Sequence, residues 1–261
     1  MEKVRRKIVV VDDINFHLLA VQGRLRQHYD IFPANSGEEL LKILERTIPE
    51  LILLDINMPE LDGYEIIKIL KADSRFADIP VVFLTSEKDR ESIIKGLRLG
   101  AADFISKPFS DSQLIECIED ICGDQPIDTI RPVILAVDDN LSILKSINHI
   151  LSDLYEVLTL PKPEELEDLL WSAKPNLFLL DYNMPVLNGF DLIPMIRSHP
   201  EHTETPIIFL TSDGTADLLT KAIQLGACDF VVKPIDETIL RNKIALHLKV
   251  FTLWRRIRSA N

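Results

Sequence analysis

A pair of adjacent aspartates, a third aspartate, a threonine and a lysine form a set able to do phosphoryl chemistry: Asp12-Asp13, Asp55, Thr85 and Lys107. The set recurs as Asp138-Asp139, Asp181, Thr211 and Lys233, with every member displaced by 126 residues. Three carboxylates in one pocket repel each other unless something neutralises them, and a hard divalent cation does so. Mg2+ prefers oxygen ligands in octahedral geometry and keeps several waters. No histidine or cysteine cluster accompanies the acids, which argues against zinc. A cation and a free ammonium together share the charge of a transferring phosphoryl group. A carboxylate can itself be the nucleophile and become an acyl phosphate. Thr85 could donate a hydrogen bond to a phosphoryl oxygen. The Lys107-Pro108 bond is open to the cis form, which would aim the lysine into the pocket.

Short apolar runs alternate with amphipathic stretches and place these residues. Strands are expected at Ile8–Val11, Ile31–Ala34, Leu51–Asp55, Val81–Thr85 and Phe104–Ser106. Helices are expected near Ile14–Gln27, Gly37–Glu45, Tyr64–Lys71, Arg90–Leu99 and Asp111–Ile121. Such alternation means a parallel sheet covered by helices on both faces. The second half repeats the order, with strands near Val133–Val137, Glu156–Leu160, Leu177–Asp181, Ile207–Thr211 and Phe230–Val232. Each polar residue of the set then sits at or just beyond the carboxyl end of a strand, where open α/β sheets bind ligands. Glycines and prolines keep the same offset, as in Pro59/Pro185, Gly63/Gly189, Gly100/Gly226 and Pro108/Pro234. So long a period means two whole domains of one fold. We expect a first domain over residues 1–123, a polar linker over 124–132, a second domain over 133–248 and a helical extension over 249–261.

Composition bounds the partners. A net charge of −12 excludes bulk nucleic-acid binding, which needs clustered Lys and Arg. No apolar run is long enough for membrane insertion. The basic start leads straight into a strand rather than a signal-peptide core, so a cytoplasmic protein is expected. Cys117, Cys122 and Cys228 lack metal spacing and fit reduced, packed thiols.

Both halves resemble receiver domains of two-component response regulators, in the manner of chemotaxis receivers. The carrying motifs are VVVDD, LLDINMPELDG, FLTS and LGAADFISKPF in the first half, and LAVDD, LLDYNMPVLNG, FLTS and LGACDFVVKPI in the second. The resemblance implies two doubly wound flavodoxin-like (βα)5 domains with parallel sheet order 2-1-3-4-5. It implies phosphoacceptors at Asp55 and Asp181. Mg2+, one per domain, would be held by Asp13 and Asp139 directly, by Asp12 and Asp138 through water, by Asp55 and Asp181, and by the carbonyls of Asn57 and Asn183. Thr85 and Thr211 would be switch hydroxyls. Phe104 and Phe230 would be switch aromatics that move inward on activation, and Lys107 and Lys233 would hold the phosphoryl group. Activity beyond autophosphorylation and autodephosphorylation is not expected.

The implied function is a tandem-receiver response regulator of a phosphorelay, in signal transduction from a histidine kinase or phosphotransfer protein. An alternative is the receiver input portion of a longer regulator such as a diguanylate cyclase. A Mg2+-dependent phosphohydrolase of the haloacid-dehalogenase type would use similar residues, but its Asp-x-Asp motif is absent. A further reading makes one copy only a docking or dimerisation module. A lone strand-terminal aspartate is ordinarily a turn or cap residue; the complete set carries the functional reading. Ser86 and Ser212 stand beside the threonines and are expected to line the site. In this family the positions two past the phosphoacceptor and two past the threonine influence hydrolysis of the acyl phosphate. The polar pairs Asn57/Glu87 and Asn183/Asp213 there predict a labile phosphorylated state. Pro194 falls inside a helix and predicts a kink or a shifted start. Leu246, Val250, Leu253 and Ile257 form a short heptad seam, expected to support a homodimer, with receiver faces as the other route.

Overall fold

The computed structural model describes residues 5–86, 89–123, 131–212 and 215–259. Contacts divide the chain into two units: Met1–Ile127 with Leu253–Asn261, and Asp128–Thr252.

The first unit alternates strands and helices: β1 (Lys7–Val11), α1 (Asn15–Leu25), β2 (Asp30–Ala34), α2 (Gly37–Leu44), β3 (Leu51–Asp55), α3 (Gly63–Ala72), β4 (Val81–Thr85), α4 (Arg90–Arg98), β5 (Asp103–Ser106) and α5 (Asp111–Cys122). All neighbouring strands pair in parallel, in the order β2-β1-β3-β4-β5. Side chains alternate across a strand. Ile8, Val10, Leu51, Leu53, Val82, Leu84 and Ile105 therefore share one face and pack on Leu18, Val21 and Leu25 of α1 and Leu114 and Ile118 of α5. Val9, Val11, Ile52 and Leu54 point the other way and are also fully buried. Burial on both faces explains the uninterrupted apolar strands.

The second unit repeats this with β6 (Val133–Val137), α6 (Leu141–Leu151), β7 (Glu156–Leu160), α7 (Leu166–Ala173), β8 (Leu177–Asp181), α8 (Gly189–Ser198), β9 (Ile207–Thr211), α9 (Ala216–Gln224), β10 (Asp229–Val232) and the part of α10 (Glu237–Ser259) that precedes Leu253. Its sheet order is β7-β6-β8-β9-β10, again parallel. One face, with Ile134, Leu177, Leu179, Ile208 and Leu210, packs on α6 and α10. The opposite face, with Leu135, Phe178, Leu180 and Phe209, packs on α7 and α8.

Local chemistry sets the helix starts. Asp62 and Glu65 form a capping box on α3, Ser110 and Gln113 one on α5, and Asn188 and Asp191 one on α8; each cap contributes about 1 kcal/mol. Pro194 lies inside α8 without shifting its start, because the box at Asn188 fixes that end where Asp62 fixes α3. Of the seam expected to pair with a second copy, Val250, Leu253 and Ile257 are buried.

Candidate functional site

The strands that carry the acids run side by side, so their carboxyl ends meet. Asp12 follows β1, Asp55 ends the adjacent β3, Thr85 ends β4, and Lys107 follows β5. Asp12 accepts from the backbone N–H of Ile14 at 2.9 Å and from the Lys107 ammonium at 2.7 Å. The same ammonium lies 3.1 Å from Asp55. The second unit matches: Asp138 accepts from the Asn140 N–H at 2.8 Å and from Lys233 at 2.7 Å, and Lys233 lies 2.9 Å from Asp181. The Lys107-Pro108 and Lys233-Pro234 bonds are both cis, as the sequence allowed.

The three carboxylates of each unit place oxygens within 4.8 Å of one another, with Asp12, Asp55, Asp138 and Asp181 buried and Asp13 and Asp139 exposed. Burial raises the pKa of Asp55, against the lowering effect of Lys107. Burial likewise raises Asp181, opposed by Lys233 and reinforced by Asp138. Lys233 is itself raised, because its two carboxylate partners outweigh the cost of burying its charge. Backbone amides of Asn57 and Asn183 donate to the two strand-terminal aspartates. Three carboxylates against one ammonium leave net negative charge in each pocket. The donor set is all oxygen and opens to solvent at one acid, which suits a hard, partly hydrated divalent cation.

Thr85 and Thr211 are buried beside the acids' strands, whereas Ser86 and Ser212 are exposed. Glu87 and Asp213 lie outside the described residues. Phe104 and Phe230 differ. Phe104 is fully buried, with its ring centroid 5.2 Å from that of Phe83. Phe230 is half-buried, with the Lys243 ammonium 5.0 Å from its ring centroid. A β-carbon on Gly96 would lie 2.3 Å from the Phe104 ring. The matching position in the second unit is the buried Ala222, so the slot that receives Phe104 is filled there.

Three residues were not read from the sequence as parts of the site. His17 places Nδ1 3.0 Å from both Asp12 oxygens; its counterpart is Ile143, so a search for shared residues passes over it. Gly63 and Gly189 were noticed only as repeated glycines. A β-carbon there would lie 2.6 Å from the Asp55 carbonyl oxygen and 2.5 Å from that of Asp181. Only glycine lets α3 and α8 start so close to the acid-bearing strands.

The model of the response regulator receiver domain matches twice, over residues 8–119 and 134–245. The chain is similar to response regulator PleD of Caulobacter vibrioides, 24% identical over 273 residues, covering 94% of this chain and 60% of that protein. The probable transcriptional regulator ycf27 of Porphyridium aerugineum is 41% identical over 111 residues, covering 42% of this chain and 45% of that protein. The chain thus spans less than two thirds of the length of either relative. Among solved structures, chemotaxis protein CheY4 of Vibrio cholerae is 30% identical, covering 45% of this chain and 98% of that one with a TM-score of 0.43. The chain belongs to the response regulator receiver family and carries two receiver domains in tandem.

Proposed function

We propose that Asp55 and Asp181 are both phosphoacceptors of a two-component relay, supplied by a histidine kinase or phosphotransfer protein. The observation that carries this reading is the lysine shared between two buried aspartates in each domain, beside a third, exposed carboxylate. Asp12, Asp13, Asp55 and the Asn57 carbonyl would hold Mg2+ in the first domain, and Asp138, Asp139, Asp181 and the Asn183 carbonyl in the second. Bound there, Mg2+ supplies charge neutralisation and orients phosphoryl oxygens.

The chain's own groups do the rest. The carboxylate of Asp55 or Asp181 attacks phosphorus in line with the leaving group. Lys107 or Lys233 exchanges its contact with the acceptor carboxylate for the arriving phosphoryl oxygens, and its second contact, to Asp12 or Asp138, keeps it in place. Thr85 and Thr211 donate to a phosphoryl oxygen once it is present. Phe104 and Phe230 are the switch aromatics, and phosphorylation biases a two-state rearrangement around them. Such a change alters contacts with a second copy through receiver faces. The protein acts in the cytoplasm; no described helix is long and apolar enough to cross a membrane. The family match replaces the phosphohydrolase alternative.

Labelling with radioactive acetyl phosphate tests the assignment. Asp55→Asn and Asp181→Asn are each expected to remove about half the incorporated phosphate, and the double variant nearly all of it. Undiminished labelling of the double variant contradicts the assignment.

A further inference from the structure

The two pockets share their acids and lysine but not the donors around Asp12 and Asp138. In the first, His17 on α1 places Nδ1 3.0 Å from both oxygens of Asp12. An ionised carboxylate only accepts, so Nδ1 carries the proton and donates. The Ile14 N–H reaches Oδ1 at 2.9 Å, and the Lys107 ammonium reaches Oδ2 at 2.7 Å. An ionised carboxylate has about four acceptor positions. Ile14 and His17 occupy those of Oδ1, and His17 and Lys107 those of Oδ2. In the second domain Ile143 stands where His17 does and packs on the apolar core beneath α6. Among the described residues, Asp138 keeps only the Asn140 N–H on Oδ1 and Lys233 on Oδ2. About half of its acceptor positions are therefore open.

We propose that His17 is a positioning residue that keeps Asp12 from hydrogen-bonding the cation's water shell, and so makes the first domain the weaker Mg2+ site of the two. The inference rests on the Mg2+ reading above and ranks its two sites. Mg2+ sheds water reluctantly, so a carboxylate that assists through a bound water must accept from that water. Asp138 can accept without losing a donor, whereas Asp12 must first release His17. The side chains of Asp12 and Asp138 are only 2% and 0% exposed, so bulk water is a poor replacement partner for either. A donor behind a metal ligand can also stiffen that ligand and tighten the site. Here Ile14 and Lys107 already fix the carboxylate, so the added contact competes more than it orients. As Mg2+ rises, Asp181 then becomes a competent acceptor before Asp55. His17 is the residue that separates the two, although it touches neither acceptor.

The test is a Mg2+ titration of the full chain without any phosphodonor, followed by nuclear magnetic resonance. The amides of Asn57 and Asn183 donate to Asp55 and Asp181, so their chemical shifts report the two pockets separately. The Asn57 shift is expected to need about tenfold more Mg2+ for its midpoint than the Asn183 shift, the size of one charge-assisted hydrogen bond. His17→Ile, which installs the side chain of the second domain, should bring the first pocket level with the second. His17→Asn keeps an N–H donor near the position of Nδ1 and should leave the first pocket weak. A purely structural loss would move both variants alike. Ile143→His should weaken the second pocket. Equal midpoints in the wild type, or a tighter first pocket, overturn the proposal. So does a first pocket that His17→Ile weakens or leaves unchanged. Absence of Mg2+ binding at both pockets would instead refute the metal assignment itself, and the ranking with it.

Discussion

Asp55 and Asp181 illustrate how a buried carboxylate is held beside an ammonium. Burial raises their pKa and a lysine about 3 Å away opposes that effect. A phosphoryl group arriving at such a site meets an ammonium that is already placed. A different aspartate shows the opposite balance. Asp229 is penalised by burial, yet hydrogen bonds from His247 (3.0 Å) and Lys243 hold it at about 2. Its folded value lies below the ordinary 3.8, so its contribution to stability is complete above pH 4. That contribution is lost as pH falls towards 2, and its size is on the order of 2 kcal/mol. The difference in urea midpoint between the wild type and Asp229→Asn should therefore shrink between pH 5 and pH 2.5. A difference independent of pH would contradict this account.

Among the elements, the contact of α4 with β5 separates the two domains. Gly96 leaves the slot in which Phe104 lies against Phe83, and Ala222 fills the equivalent slot beside Phe230. Gly96→Ala is expected to expel Phe104 and cost about 1–3 kcal/mol, read as a lower urea midpoint and loss of nuclear Overhauser contacts between the two rings. Retention of those contacts at unchanged stability would refute the steric argument. The sequence could not reveal this difference, because a glycine in a helix marks no particular neighbour until the strand beneath it is known. The strands themselves were legible, since burial on both faces leaves continuous Val, Ile and Leu runs. The acids and lysines were legible because they recur. His17 was not, for the converse reason: only one copy has it. Pro194 misled in part, because proline chemistry says where a helix is weakened and not whether the cap ahead of it still fixes the start.

For the molecule as a whole, the proposed assignment of an acceptor to each of the two pockets would give phosphoryl occupancy four states rather than two. The fully buried switch-position aromatic, Phe104, falls in the first domain. Switching is therefore expected to differ between domains whose acid and lysine geometry is nearly identical. Every one of these consequences depends on Asp55 and Asp181 carrying phosphate. Borohydride reduction of the acetyl-phosphate-treated chain, followed by peptide mass spectrometry, reads aspartates carried as acyl phosphates directly as homoserine. The expected result is conversion at residues 55 and 181 with Mg2+ present and at neither after chelation; conversion at Asp12 or Asp138 instead, or labelling indifferent to the cation, would contradict it.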